Sequence, residues 1–186
     1  MAVELRTERL LLRPWRDSDR APFAALNSDP EVMRYFPGLQ TQEESDASIE
    51  RMRGVFAREG WGFWAAELPG EADFIGFIGI NRLSWQAHFT PCVDIGWRLA
   101  RTYWGRGLAT EGARAALRFG FESLGLLEIV SITVPDNRPS RHVMEKLGLR
   151  HDPAGDFDHP LIAEGHPRRR HVLYRLGADA WRAANP

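Results

Sequence analysis

Two glycines stand where a predicted strand runs through a short turn into a predicted helix. The strand covers residues 93–99, the helix covers 108–124, and Gly105 and Gly107 lie between them. Glycine lets the backbone turn tightly with its N–H groups directed at one point, and a helix N-terminus adds unpaired N–H groups and about half a positive charge. The segment therefore predicts an anion site suited to a phosphate or pyrophosphate. A helix-starting turn with incidental glycines is the alternative.

Two common nucleotide-binding motifs do not fit this segment. A dinucleotide fingerprint, G-x-G-x-x-G, needs a third glycine at the position of Thr110. A P-loop needs a Gly-Lys pair, and the chain contains none. The anion site is therefore not explained by either motif, and a dinucleotide-dependent oxidoreductase is disfavoured.

The same segment resembles the pyrophosphate-binding motif Q/R-x-x-G-x-G/A of the GNAT acetyltransferase superfamily. Here the motif is Trp104-Gly105-Arg106-Gly107-Leu108-Ala109, and the tryptophan at the Gln/Arg position is similar to the RimJ/RimL-type branch. A second landmark of the family, N-x-x-S/A-x-x-V/L-x-E-K-L-G-F/L/M, matches at Asn137, Ser140, Val143, Glu145, Lys146, Leu147, Gly148 and Leu149. With the order of elements, the resemblance covers residues 7–177 as one acetyltransferase domain.

The resemblance implies acetyl-CoA as the acetyl donor and a set of residues that bind it. Main-chain groups of Trp97, Arg98 and Leu99 are expected to pair with the pantetheine arm. The pyrophosphate is expected on the N–H groups of Gly105, Arg106, Gly107, Leu108, Ala109 and Thr110, with the Arg106 side chain at the rim. Asn137 is expected to bond the arm near the thioester; a helix N-cap is its alternative role, and both can hold together.

The resemblance also implies direct attack of an amine on the thioester. Main-chain N–H groups near Trp97 would stabilise the oxyanion, and the departing thiolate needs a proton donor. Many relatives use a tyrosine at the position of Met144, which cannot donate. Ser140 is therefore the candidate donor, with a small packing residue as its alternative role.

The general base is not obvious from the sequence. Asp94, on the strand before the glycines, and His88, in the preceding loop, are candidates, as is a water chain to either. An α-amine, with a pKa of about 8, needs less help than a lysine at about 10.4, so the missing base favours an α-amine. The acceptor is expected to be a protein N-terminus or a small amine such as an aminoglycoside, a polyamine or an amino acid. A non-catalytic acyl-CoA-binding module is the alternative function.

The elements that position these residues predict an α+β fold. A mixed central sheet, made of an antiparallel meander and a βαβα unit with splayed parallel strands, is expected between flanking helices. Residues 150–170 are expected to form a long loop, and Trp85 and Phe89 of the 84–91 loop are candidates to wall the acceptor pocket. Strands are predicted over 7–13, 62–67, 74–83, 93–99, 127–135 and 171–176, and helices over 17–27, 42–59, 108–124 and 137–147.

Composition excludes several other classes of protein. The 186 residues contain 24 Lys and Arg against 25 Asp and Glu, so a broad basic surface for nucleic acid is not expected. No apolar run approaches 18 residues, so no membrane partner is expected. The single Cys92 excludes an internal disulfide and a multi-cysteine metal site, no metal is expected, and Cys92 has no recognisable activating neighbours. We expect a cytoplasmic monomer or homodimer.

Overall fold

A computed structural model describes residues 2–185 and contains one mixed sheet with helices on both faces. The strands are β1 (Leu5–Arg6), β2 (Leu11–Arg13), β3 (Phe63–Leu68), β4 (Ala72–Arg82), β5 (Val93–Leu99), β6 (Glu128–Thr133), β7 (Arg150–His151), β8 (Phe157–Asp158) and β9 (Arg170–Gly177). The α-helices are α1 (Arg20–Ser28), α2 (Pro30–Met33), α3 (Gln42–Glu59), α4 (Leu108–Arg118), α5 (Arg138–Lys146) and α6 (Ala178–Ala184).

The strand order explains why the sheet is mixed. It runs β1-β2-β3-β4-β5-β6-β9-β7, with β8 paired to β9. The run from β1 to β5 is antiparallel, and β6 pairs antiparallel to β9. Between them, β5 and β6 are parallel and pair only at Asp94 and Val130. The predicted α+β fold, with an antiparallel meander followed by parallel strands that splay apart, is confirmed.

Alternation along β4 assigns the helices to the two faces of the sheet. Phe77 points to the side of α1, where its ring centroid lies 6.2 Å from that of Phe23. Ile78 points to the other side, where Gly112 of α4 is so close that a Cβ would stand 2.5 Å from the Ile78 side chain. We call the side of Phe77 the α3 face, because α3 packs there beside α1, and the side of Ile78 the α4 face.

Helix α3 has the bounds that the sequence predicts, because both ends are capped. At its start, Thr41 and Glu44 form a capping box in which each side chain accepts from the other residue's main-chain N–H. At its end, Gly60 has a left-handed φ of 78°. Ile49 and Phe56, on its predicted apolar stripe, are buried in the core.

Several predicted elements are corrected by the structure. The strand over 7–13 is broken by a turn, since Leu10 N–H donates to Thr7 Oγ1 at 2.8 Å. Pro30 begins α2 rather than only ending α1, because proline fits the first turn of a helix and Asp29 caps it by accepting from Glu31 N–H at 2.8 Å. The 150–170 stretch contains β7 and β8 instead of a single loop.

The C-terminal helix packs on the same core as the rest of the sheet. Trp181 of α6 is buried and stacks on Phe121 with ring centroids 5.5 Å apart.

Across residues 2–185, no helix combines the length and apolar character needed to cross a membrane.

Candidate active site

A gap opens between β5 and β6 immediately beyond the Asp94–Val130 pair. Across the β4–β5 ladder, Leu83 N–H donates to Cys92 O and Ala100 N–H donates to Ile75 O. Because hydrogen-bonded pairs alternate in an antiparallel ladder, the main-chain N–H and C=O of Arg98 are bonded to Phe77 of β4. The main-chain groups of the odd-numbered residues of β5 point the other way, and beyond Asp94 they face the gap.

This register corrects one of the three main-chain contacts predicted for the pantetheine arm and is compatible with the other two. The main chain of Arg98 cannot pair with a ligand in the gap, because it is bonded to β4. Ile95 O accepts from Ser131 Oγ at 2.8 Å, and Leu99 O accepts from the Trp104 indole N–H at 2.7 Å. The N–H of Leu99 and both main-chain groups of Trp97 remain directed into the gap.

The glycine turn at the end of β5 forms an open cradle of N–H groups. Gly105 and Gly107 have left-handed φ values of 73° and 78°, which other residues rarely adopt. Gly107 precedes α4, so the N–H groups of Leu108, Ala109 and Thr110 have no partner inside the helix. These residues line one side of a cavity of about 380 Å³, called here the gap cavity. The cradle suits an anionic group such as a pyrophosphate.

The Arg106 side chain does not lie at this cradle, contrary to the prediction. Its guanidinium donates to both carboxylate oxygens of Glu71, at 2.6 and 2.8 Å. The arginine holds the pKa of Glu71 below its usual value. Arg106 therefore contributes only main-chain groups to the turn.

A second ion pair that the sequence analysis missed supports the turn from the N-terminal side. Arg9 donates to Arg106 O at 3.0 Å and pairs with Glu111 at 2.6 Å. Glu111 also accepts from the hydroxyl of Thr7 at 2.5 Å. The helical pattern places Glu111 on the water-facing side of α4, which is why no signal in the sequence indicated this contact.

Helix α5 closes the opposite side of the gap cavity. Asn137 caps it, with Oδ1 accepting from Ser140 N–H at 3.3 Å and Nδ2 donating to Thr133 Oγ1 at 2.9 Å. Both Asn137 and Ser140 line the cavity. Met144 instead points into the core with 1% of its surface exposed. The N-cap role of Asn137 is therefore present, and its role toward a ligand stays a prediction.

Asp94 lies at the vertex where β5 and β6 separate, with its side chain on the α3 face and outside the lining of the gap cavity. Its surface is only 8% exposed, and its Oδ1 has no hydrogen-bond partner among the described residues. Burial raises the pKa of the Asp94 carboxyl well above its usual value. A carboxyl whose proton affinity is raised in this way is suited to general-base chemistry.

The other titratable candidates lie in less suitable surroundings. Burial, and next the charge of Asp94, raise the pKa of the Cys92 thiol to about 11, which keeps it protonated and unreactive. His88 is exposed, with its ring 5.2 Å from that of Phe89. Phe89 and Trp85 pack on Phe157, with ring centroids 4.8 and 5.7 Å apart, and do not line the gap cavity. No group of three or more potential metal ligands occurs within residues 2–185.

A second cavity, of about 710 Å³, lies on the α3 face between α3 and strands β4 and β5. We call it the α3 cavity. Its lining includes the rings of Phe63 and Phe77, the amides of Gln40 and Asn81, and the side chain of Arg98. Arg98 also lines the gap cavity, so the two cavities meet at this residue.

The family model described as "Acetyltransferase (GNAT) domain" matches residues 9–150, and the chain belongs to this family. It is an acetyl-CoA-dependent N-acetyltransferase, as the two motifs predict. The order of β5, the glycine turn, α4, β6 and α5 is the arrangement on which those motifs lie.

Three comparisons agree with this assignment. The chain is 30% identical over 180 residues to an uncharacterized N-acetyltransferase, YnaD, of Bacillus subtilis, covering 96% of this chain and 99% of that protein. A crystal structure of a GNAT-family acetyltransferase from Bacillus anthracis superposes with a TM-score of 0.77 at 27% identity, covering 95% and 99% of the two chains. Mycobacterium smegmatis RimJ, in complex with CoA-disulfide, shares the fold with a TM-score of 0.71 at 23% identity, covering 98% and 93%.

Proposed function

We propose that this enzyme transfers the acetyl group of acetyl-CoA to a primary amine by direct attack within a ternary complex. The observation that carries the proposal is the gap between β5 and β6, where the main chain of Trp97 faces an opening that ends at the glycine cradle. A pantetheine arm laid along β5 would take the position of a missing strand, with its pyrophosphate on the N–H groups of residues 105–110.

The reaction needs an oxyanion donor, a base and an acid, and each has a candidate. The N–H of Trp97 points into the gap, where it would stabilise the thioester oxygen as negative charge develops. Asp94, at the vertex of the gap, would accept the proton of the attacking amine through a water molecule, since its side chain does not line the gap cavity. Ser140, across the gap cavity on α5, would donate a hydrogen bond to the departing thiolate.

The burial of Asp94 bears on which class of amine the enzyme can deprotonate, a question that the sequence leaves open. A carboxylate of ordinary pKa is a poor base for an amine, whereas a buried one has a higher proton affinity. The difference in pKa between the Asp94 carboxyl and an amine is thereby reduced, and this difference is smaller for an α-amine than for a lysine. We propose an α-amine, or a small amine of similar basicity, as the acceptor.

Calorimetric titration with acetyl-CoA, CoA, NAD and ATP tests the donor part of the proposal. We expect micromolar binding of the two CoA species and none of the others, because the cradle is joined to a strand edge whose free main-chain groups match the amides of a pantetheine arm. Release of CoA thiol in the presence of small amines then tests transfer. Equal binding of ATP or NAD, or no binding of CoA, would contradict the proposed use of the gap.

A further inference from the structure

We infer that Arg98 forms a carboxylate-binding subsite in the α3 cavity, so that the acceptor is a small amine carrying its own carboxylate, as an amino acid does. This inference rests on the proposed function, since it names the acceptor class for the same reaction. It follows from the hydrogen bonds, the stacking and the charge around the Arg98 guanidinium.

One end of the guanidinium is fixed by a buried amide. Arg98 Nη1 donates to Asn27 Oδ1 at 2.5 Å, and Asn27 Nδ2 lies 2.9 Å from Ser45 Oγ. Asn27 and Ser45 are both fully buried. Because arginine has no acceptor, the Asn27 oxygen must face it, and the position of Nη1 is thereby set.

Stacking and the Asn27 contact leave one edge of the guanidinium free. Its carbon lies 4.0 Å from the ring centroid of Phe36 and 5.3 Å from that of Phe77. Nε is buried without a partner among the described residues, and no hydrogen bond found there uses Nη2. The N–H groups of Nε and Nη2 point in the same direction, which is the fork that binds a carboxylate through two parallel hydrogen bonds.

The charge of Arg98 is not balanced within the described part of the chain. Arg13, which is more deeply buried than Arg98, has two carboxylates at 2.8 Å, from Asp19 and Glu67. Arg98 has only the neutral amide of Asn27, and burial lowers its pKa to about 10. Burying a charge without a counter-ion is unfavourable, so an anion bound at the free edge would offset the cost.

The remaining charges of the α3 cavity point to the same class of acceptor. Its two glutamates are already neutralised, Glu50 by Arg20 and Arg53 and Glu59 by Arg82. A polyamine would therefore find no free carboxylate on these residues and would be repelled by Arg98.

A buried amide oxygen completes the subsite. Gln40 Oε1 has no partner among the described residues, and the main chain of Gln40 is bonded to Asn27 O at 3.1 Å, which places it beside the Arg98 contact. An amine N–H is the donor that this oxygen lacks. A guanidinium fork and an amide acceptor on one cavity wall complement a molecule with a carboxylate near its amine.

Acetyl transfer to matched acceptor pairs tests the subsite. The probes are α-amino acids and ω-amino acids, each compared with its carboxamide, with CoA thiol release as the readout. We expect the free acid to have kcat/KM about 100-fold above the amide in the unchanged enzyme. In Arg98→Gln this ratio should fall to about threefold or less, mainly through KM, with the acetyl-CoA Kd unchanged.

Two further variants keep the result interpretable. Arg98→Lys retains the charge without the fork and should give an intermediate ratio, and it carries the test if Arg98→Gln does not fold. Arg114→Gln, an exposed arginine of α4, is the matched control and should keep the full ratio. Equal use of acid and amide by the unchanged enzyme, or a loss in Arg98→Gln confined to acetyl-CoA affinity, would overturn the subsite; the second result would assign Arg98 to a CoA phosphate.

Failure of the proposed function gives a different pattern. If acetyl-CoA binds but no probe is acetylated, calorimetry of the same amino acids with the CoA complex still decides the subsite. Binding that disappears in Arg98→Gln supports it, and absence of binding overturns it. Loss of acetyl-CoA binding itself would instead contradict the proposed use of the gap.

Discussion

The gap cavity presents main-chain groups from nearly contiguous chain, whereas the α3 cavity presents side chains gathered from α1, α3, β4, β5 and the segment before α3. In the gap, the N–H of Trp97 and the N–H groups after Gly107 come from one strand, one turn and one helix start. Arg98, which lines the α3 cavity, contacts Asn27 and Phe36, which lie over sixty positions away in the sequence. A main-chain site constrains few side chains and can serve one donor, while a side-chain site can be changed residue by residue to suit an acceptor.

The largest expected effect is on the acceptor side, at Asp94. Asp94→Asn should lower kcat by a factor of about 100 to 1,000, because a general base contributes on that order. The acetyl-CoA Kd should stay within about twofold, since the carboxyl faces away from the pyrophosphate cradle. Steady-state kinetics and calorimetry on the same preparations measure the two effects.

The pH dependence sharpens this test. A base acts when deprotonated, so kcat of the unchanged enzyme should rise with pH through the raised pKa of Asp94. That limb should be absent in Asp94→Asn. Asp179→Asn, which alters an exposed carboxylate on α6, is the matched control and should keep both rate and profile. Full activity in Asp94→Asn would remove this carboxyl from the mechanism.

The next effect in size is on the donor side, at Gly107. Gly107→Asp puts a side chain on a left-handed backbone and a negative charge at the cradle, so the acetyl-CoA Kd should rise about 100-fold. Titration calorimetry checks this. Gly125→Asp has the same kind of backbone, with a φ of 65° and open space around it, and adds the same charge beyond the opposite end of α4 from the cradle. Equal losses in both variants would mean that the anion site is wrongly assigned.

The smallest expected effect tests whether Ser140 links the two sides. Ser140→Ala should slow the single-turnover rate about tenfold while acetyl-CoA affinity is kept, because one hydrogen bond to the leaving sulfur is lost. The variant retains the main-chain N–H that Asn137 accepts. Ser140→Thr keeps the hydroxyl and should restore most of the rate. A rate for Ser140→Ala equal to that of the unchanged enzyme would leave Ser140 as a packing residue.

The donor side could be predicted from the sequence because its determinants are local. Left-handed glycines, a helix start and the Asn137 cap each leave a signature within a few residues. Helix α3 was predicted to its ends for the same reason, since Thr41 and Gly60 are capping residues.

The acceptor side could not be predicted because its contacts depend on tertiary structure. Nothing in the sequence indicates that the side chain of Arg98 donates to Asn27 while its main chain is bonded to β4. The same reason explains one failure on the donor side, where Glu71 draws Arg106 away from the cradle, and one in the 84–91 loop, where Trp85 packs on Phe157. The burial that raises the pKa of Asp94 comes from the packed sheet, where β5 pairs with strands distant in the chain.

Because β5 and β6 separate, the middle of this sheet contains strand edges whose main-chain groups have no neighbouring strand. On its other edge β5 is joined to β4 along its whole length, but beyond Asp94 the N–H groups of Trp97 and Leu99 depend on water or on a bound molecule. A donor lying there would complete the hydrogen bonding of the fold as well as present its thioester. Occupancy of the gap should therefore enter the folding equilibrium itself, so that the free energy of unfolding rises with the concentration of CoA species.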